Sequence, residues 1–165
     1  MVKEGELISF AESVQNTFNE DEYGGLYIND SQELIINVTS YDTQKKFMSF
    51  IKNKTGKENF TETIKDNYTY IEVSGYGDVK LKCVKYTLTE LKAAMDLLVN
   101  DMQELGLKAV YLDEFDNCVK ITVSKVTSEI QKKVFSRVDL KYLVFEESAE
   151  DLSFLALEKR PTHRE

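Results

Sequence analysis

Apolar residues fall into helical and strand periods along most of the chain. Leu7, Phe10, Ala11, Val14 and Phe18 recur at helical spacing and predict an amphipathic helix over residues 5–19. Residues 25–29 and 33–39 alternate as strands, with Asn29-Asp30-Ser31 as turn chemistry between them. Asp42 is placed to cap a helix carrying Phe47, Met48, Phe50 and Ile51, with Gly56 just past its end. Residues 56–66 are polar and predict a loop; Tyr68 to Val73 reads as a strand. Ser74-Gly75-Tyr76-Gly77-Asp78 is a turn, and the division between subdomains is expected there.

The second half is more regular. Val79 to Tyr86 reads as a strand. Thr87 then opens a helix with Glu90 three residues on, the spacing of a capping box, and Tyr86 and Leu91 fit the flanking hydrophobic staple. Leu91, Ala94, Met95, Leu98, Met102 and Leu105 form its apolar face, and Gly106 ends it. A hairpin follows, from Lys108 to Leu112 and Cys118 to Val123, turning at Asp113 to Asn117. Ser128 with Gln131 caps a shorter helix carrying Ile130, Val134, Phe135 and Val138, and Lys141 to Phe145 is the last strand.

The expected fold is therefore α+β. An N-terminal subdomain, residues 1–78, holds a helix, a hairpin, a second helix and a strand. Residues 79–146 run β-α-β-β-α-β, the order of a ferredoxin-like sandwich with two helices on one face of an antiparallel sheet. Residues 147–165 form a tail. The strand, strand, helix, strand order of the first half echoes the second, without a fixed period that would establish a duplication.

Length and composition agree with this reading. The 165 residues are 42% hydrophobic and 30% charged, a globular composition. A chain of this size buries roughly 68–70% of its unfolded surface and needs no metal or disulfide to fold. A formal net charge of −8 repels phosphate backbones and argues against nucleic-acid binding. The acidic runs Glu20-Asp21-Glu22 and Glu146 to Asp151 read as solvated surface. No apolar run is long enough to span a membrane. The opening residues, Met1 to Glu6, carry no apolar secretory segment, so a cytoplasmic location is expected unless a leader has been removed.

Catalytic chemistry is hard to place. A hydroxyl or thiol nucleophile needs an activating base, and the single histidine, His163, stands beside Pro161 near the chain end. There is no Gly-x-Ser-x-Gly elbow and no phosphate-binding glycine loop. Asp113, Glu114 and Asp116 share one turn but lack the glycine and distal glutamate of a calcium loop. Cys83 and Cys118 are too few for a zinc site; two thiols are favoured, with a bridge between neighbouring strands as the alternative. Four Asn-x-Thr triplets, at Asn37, Asn53, Asn59 and Asn67, read as coincidence. No catalytic residue, metal or cofactor is assigned, and the chain is not expected to be an enzyme.

The sheet face opposite the helices carries the candidate binding residues. It presents Ala109, Tyr111, Cys118, Lys120, Tyr142 and Val144, too apolar for a wet face and too polar for a closed core. Either the N-terminal half covers it, or it docks a protein, tyrosines supplying contact area at low entropy cost.

Three stretches resemble a known family. Tyr23-Gly24-Gly25-Leu26-Tyr27-Ile28-Asn29, followed by Leu34-Ile35-Ile36-Asn37-Val38-Thr39, is similar to the opening of bacterial trypsin-like serine protease precursors. Val84-Lys85-Tyr86-Thr87-Leu88-Thr89-Glu90-Leu91 resembles their Val-Lys-Tyr-Ser-x-x-Glu-Leu helix entry. Val110-Tyr111-Leu112-Asp113 with Asn117-Cys118-Val119-Lys120-Ile121 resembles their next hairpin. The resemblance covers residues 23–39 and 80–123 and points to pro-regions of the alpha-lytic and streptogrisin type. It implies a secreted or cell-envelope α+β domain that assists folding of a trypsin-like catalytic domain and then inhibits it. The implied means are sheet extension and docking of the tail. On this reading Tyr111, Lys120, Tyr142 and Val144 bind the partner, and Phe154, Leu155 and Leu157 belong to the docking tail. The chain carries no Gly-Asp-Ser-Gly-Gly sequence of its own, and residues 40–79 match no part of that pattern. The alternative is a stand-alone interaction or inhibitor module with no linked protease.

Overall fold

The computed structural model describes residues 4–55, 60–65, 68–73, 77–149 and 155–156, with side chains at 7–54 and 79–149. The fold is α+β, and the chain divides between Leu88 and Thr89 into two compact units.

The first unit opens with helix α1, Glu4–Thr17, which buries Leu7, Phe10, Ala11 and Val14 at the expected spacing. Strands β1, Tyr23–Ile28, and β2, Leu34–Val38, pair antiparallel. Their turn is held by the Asn29 side-chain carbonyl, which accepts from the Ser31 and Glu33 amides at 3.0 and 2.9 Å. Helix α2, Tyr41–Thr55, is capped by Ser40, whose hydroxyl accepts the Thr43 N–H at 3.1 Å; the cap is Ser40 and not the expected Asp42. Phe47 and Ile51 turn inward, and Phe47 stacks on Phe18 with ring centroids 3.9 Å apart. Strands β3, Phe60–Lys65, and β4, Tyr68–Val73, form a second hairpin, so residues 60–65 are a strand and not the expected loop. Strand β5, Gly77–Cys83, completes the sheet, parallel to β2 and antiparallel to β4, in the order β1-β2-β5-β4-β3.

This placement of β5 corrects the expected strand order. Its inward residues, Val79 and Leu81, are buried in the first sheet, so the second sheet has no strand from residues 79–86 and no ferredoxin-like layer forms. The division accordingly falls after Leu88 and not at residue 78.

The second unit takes up helix α3, Leu88–Val99, from Thr89 onward, burying Leu91, Ala94, Met95 and Leu98. The expected single helix to Leu105 is interrupted at Asn100 and Asp101. A short helix α4, Met102–Leu105, follows and ends at Gly106, whose φ of 75° is left-handed. Strands β6, Ala109–Asp113, and β7, Cys118–Val123, form a hairpin. Helix α5, Ser128–Phe135, is capped by Thr127, whose side chain accepts the Ile130 N–H, one residue before the expected Ser128. A 3-10 turn, Leu140–Tyr142, leads into β8, Leu143–Glu147, parallel to β7. The two-residue β9, Leu155–Ala156, lies parallel to β6, giving the order β8-β7-β6-β9.

The two units are one motif used twice. Each runs helix, hairpin, helix, strand, with the last strand parallel to the second strand of the hairpin. The first helices bury residues at the same i, i+3, i+4, i+7 spacing: Leu7, Phe10, Ala11, Val14 and Leu91, Ala94, Met95, Leu98. From the caps Ser40 and Thr127, the same steps lead to buried Phe47 and Val134, then to buried Ile51 and Val138. The registers correspond as well. Leu34, Ile36 and Val38 face Val79, Leu81 and Cys83; Val119, Ile121 and Val123 face Leu143, Phe145 and Glu147. The faint echo between the halves in the sequence is thus a structural repeat, and the β3–β4 hairpin is the first unit's addition to it.

Candidate protein-docking edge

Alternation along the second sheet fixes which residues share a face. Tyr111, Lys120 and Val144 stand in one row across β6, β7 and β8. Asp113 and Cys118 lie in a neighbouring row of the same face, as do Thr122 and Glu146. The opposite face carries Val110, Leu112, Val119, Ile121 and Val123, all buried.

Of the sequence-predicted residues, Tyr111, Lys120 and Val144 therefore do come together, but not as an exposed tyrosine surface. Tyr111 and Lys120 are 5% and 8% exposed. The Lys120 ammonium lies 3.2 Å from Asp113 and 2.7 Å from Asp116, and the Tyr111 hydroxyl donates to the Glu146 carboxylate. Burial alone pushes the Lys120 ammonium toward losing its proton. The hydrogen bonds and negative charge of Asp116 and Asp113 more than offset it, and its pKa is raised above the ordinary lysine value. These turn acids thus neutralise a buried lysine and lock the β6–β7 hairpin. Cys118 sits beside this cluster. Burial first, and then the nearby Asp113 carboxylate, push its thiol up to about 12, which leaves almost no thiolate at neutral pH. Cys83 is exposed on the other unit's sheet, and both cysteines are free thiols.

Tyr142 stands in the 3-10 turn, its hydroxyl donating to Glu90 at 3.2 Å, so it ties the entry of β8 to the first turn of α3. Leu155 is in register with Ala109 at the β6 side of the sheet. Phe154 and Leu157 lie outside the described residues. Among the described residues no group of three or more His, Cys, Asp or Glu side chains is arranged to hold a metal ion, and no helix is long and apolar enough to cross a membrane.

The exposed part of the site is β8 itself. Among the described residues it pairs with β7 alone, in an unbroken register from Leu143 to Glu147. Val144 is 44% exposed and Leu140, just before the strand, 61%. On the helix side, exposed Phe135 meets Phe145 edge to face with centroids 6.0 Å apart. An edge of this kind offers unpaired backbone groups to another strand. Natural edges are usually blunted by bulges, lysines or proline. The edge strand β1 is blunted in that way, with a register shift between Tyr23 and Leu26 and a buried face. β8, Leu-Val-Phe-Glu-Glu, has no bulge, lysine or proline, only its two glutamates. Phe135, Leu140, Glu146 and Glu147 are the site residues that sequence reasoning missed. Their signal was present in apolar residues bracketing the last strand, but only pairing shows that strand to be an edge.

No family model matches this sequence, and no curated protein matches it.

Proposed function

We propose that the chain is a non-catalytic protein-binding domain that accepts a β-hairpin of its partner along the outer edge of β8. The carrying observation is the contrast between the two repeats. In the first unit, the strand equivalent to β8 is β5, and its corresponding edge is covered by the chain's own β3–β4 hairpin, antiparallel, from Tyr68↔Lys82 to Val73↔Gly77. In the second unit the same edge carries no such hairpin among the described residues. The motif already closes this edge once with a hairpin in cis, and a hairpin supplied in trans closes it the second time. Main-chain hydrogen bonds would give the affinity, and the side chains flanking β8 the selectivity.

The resemblance to serine-protease pro-regions names the partner: a trypsin-like catalytic domain. Holding a hairpin of that domain in its native pairing favours the folded protease over its unfolded chain by mass action, about 2.7 kcal/mol when the ligand stands at a hundred times its Kd. The same contact, with the segment after β8 near the protease cleft, would inhibit it.

The test is refolding. A denatured trypsin-like catalytic domain is diluted with and without the full chain, and recovered activity is measured after the chain is removed. Higher yield with the chain, together with inhibition before its removal, supports the reading. Equal yields and no inhibition count against the protease partner and leave a stand-alone interaction module.

A further inference from the structure

We infer that the strand taken up by β8 is basic, carrying lysine or arginine in register with Glu146 and Glu147. This rests on the docking reading above and specifies the chemistry of its partner.

The edge strand ends in two adjacent carboxylates, one on each face of the sheet, followed in sequence by Glu150 and Asp151. The carboxylates are held in place: Glu146 accepts from Tyr111, and Glu147 accepts the Val126 N–H at 2.6 Å. Each still has acceptor capacity for a cation. The repeat shows how the edge has changed. The positions equivalent to Val144 and Glu146 are Lys80 and Lys82 on β5, which stand opposite Tyr70 and Tyr68 of the closing hairpin. Between the repeats the charge has reversed from lysine to glutamate at the end of the strand and been replaced by an apolar side chain at its middle. Opposite charges directly across a strand pair are favourable and like charges unfavourable. A lysine or arginine stem would also lie along Val144 or Phe135 while its head reaches the carboxylate. A second copy of the chain fits poorly, since β8 itself holds no lysine or arginine to set opposite Glu146 and Glu147.

The test uses the isotopically labelled full chain and three disulfide-closed β-hairpin peptides. They differ only at the two positions facing Glu146 and Glu147, with lysine, glutamine or glutamate there. Binding is followed by the amide signals of residues 143–147 at low and high salt. The lysine hairpin should bind on the order of tenfold tighter than the glutamate hairpin at low salt, the gap should narrow with salt, and Glu146→Gln with Glu147→Gln should close it. Hairpins that all shift these amides with equal affinity, or a preference for glutamate, would overturn the basic-strand inference while leaving edge docking intact. If none shifts the 143–147 amides, edge docking itself fails and the inference falls with it.

Discussion

The backbone N–H of Ser148 donates to the carbonyl of Val123 at 2.9 Å, as the N–H of Val84 does to the carbonyl of Val38 at the same distance in the first unit. Because backbone groups alternate along a strand, this bond points the amides of Val144 and Glu146 toward β7 and those of Phe145 and Glu147 toward the outer edge.

That alternation gives a clean edge mutation. Glu147→Pro removes an outward amide while sparing the β7 ladder, a place where an edge strand tolerates proline. Glu147→Ala is its control, because both variants lose the carboxylate contact to Val126. Both should cost about 1 kcal/mol of stability for that contact. Both variants also lose the carboxylate that faces the partner's basic residue, so the proline variant should bind roughly tenfold more weakly than Glu147→Ala, as read by calorimetric titration.

Lys120 should be a stability residue and not a contact residue. Lys120→Met leaves Asp113 buried opposite an apolar chain, and breaking such a pair costs about 3–5 kcal/mol when both charges are buried. Asp116 is 42% exposed and relaxes into water, so a loss of about 2–4 kcal/mol is expected in urea unfolding. Pairing with Asn at 113 should recover part of it, since the stranded charge is then gone.

Alkaline pH should unfold the chain through the same cluster. Folding raises both the Lys120 ammonium and the Cys118 thiol above their ordinary values. The folded state therefore holds protons that the unfolded chain has released, and stability falls as pH rises. For Cys118 the loss begins near 9.0 and continues to about 12; for Lys120 it begins near 10.5. Cys118→Ser should flatten the earlier part of the curve. At pH 8 a thiol reagent should titrate exposed Cys83 at once and Cys118 only on unfolding.

The helix caps offer a symmetric check on the repeat. Ser40→Ala and Thr127→Ala should each cost about 1 kcal/mol, whereas Asp42→Ala should cost about half that or less, because Asp42 supplies only a first-turn charge. Equal losses at Ser40 and Asp42 in thermal unfolding would contradict the cap assignment.

Much of this architecture was written in local patterns. The buried face of α1, that of α3, the β6–β7 hairpin and the Tyr111-Lys120-Val144 row all follow from spacing and alternation. What escaped was non-local. Val79, Leu81 and Cys83 alternate like any half-buried strand, and nothing in them says whether β2 or β7 is their neighbour. Phe60–Lys65 is mostly polar, and its pairing with β4 supplies the order that its composition does not suggest. The last strand runs from Leu143 and not Lys141, because Asp139 caps a 3-10 turn by accepting the Lys141 N–H at 3.0 Å. At the site, the burial of Lys120 depends on its ion pairs with Asp113 and Asp116 across the turn, and the exposed edge of β8 depends on which strands pair; neither is a local pattern.

Residue-resolved amide exchange, with and without a saturating trypsin-like catalytic domain, tests the central claim most directly. The amides of Val144, Glu146 and Ser148 should already exchange slowly in the chain alone, while those of Phe145 and Glu147 exchange fast and become protected in the complex. Complex formation with Phe145 and Glu147 still exchanging as fast as in the isolated chain would contradict docking at β8.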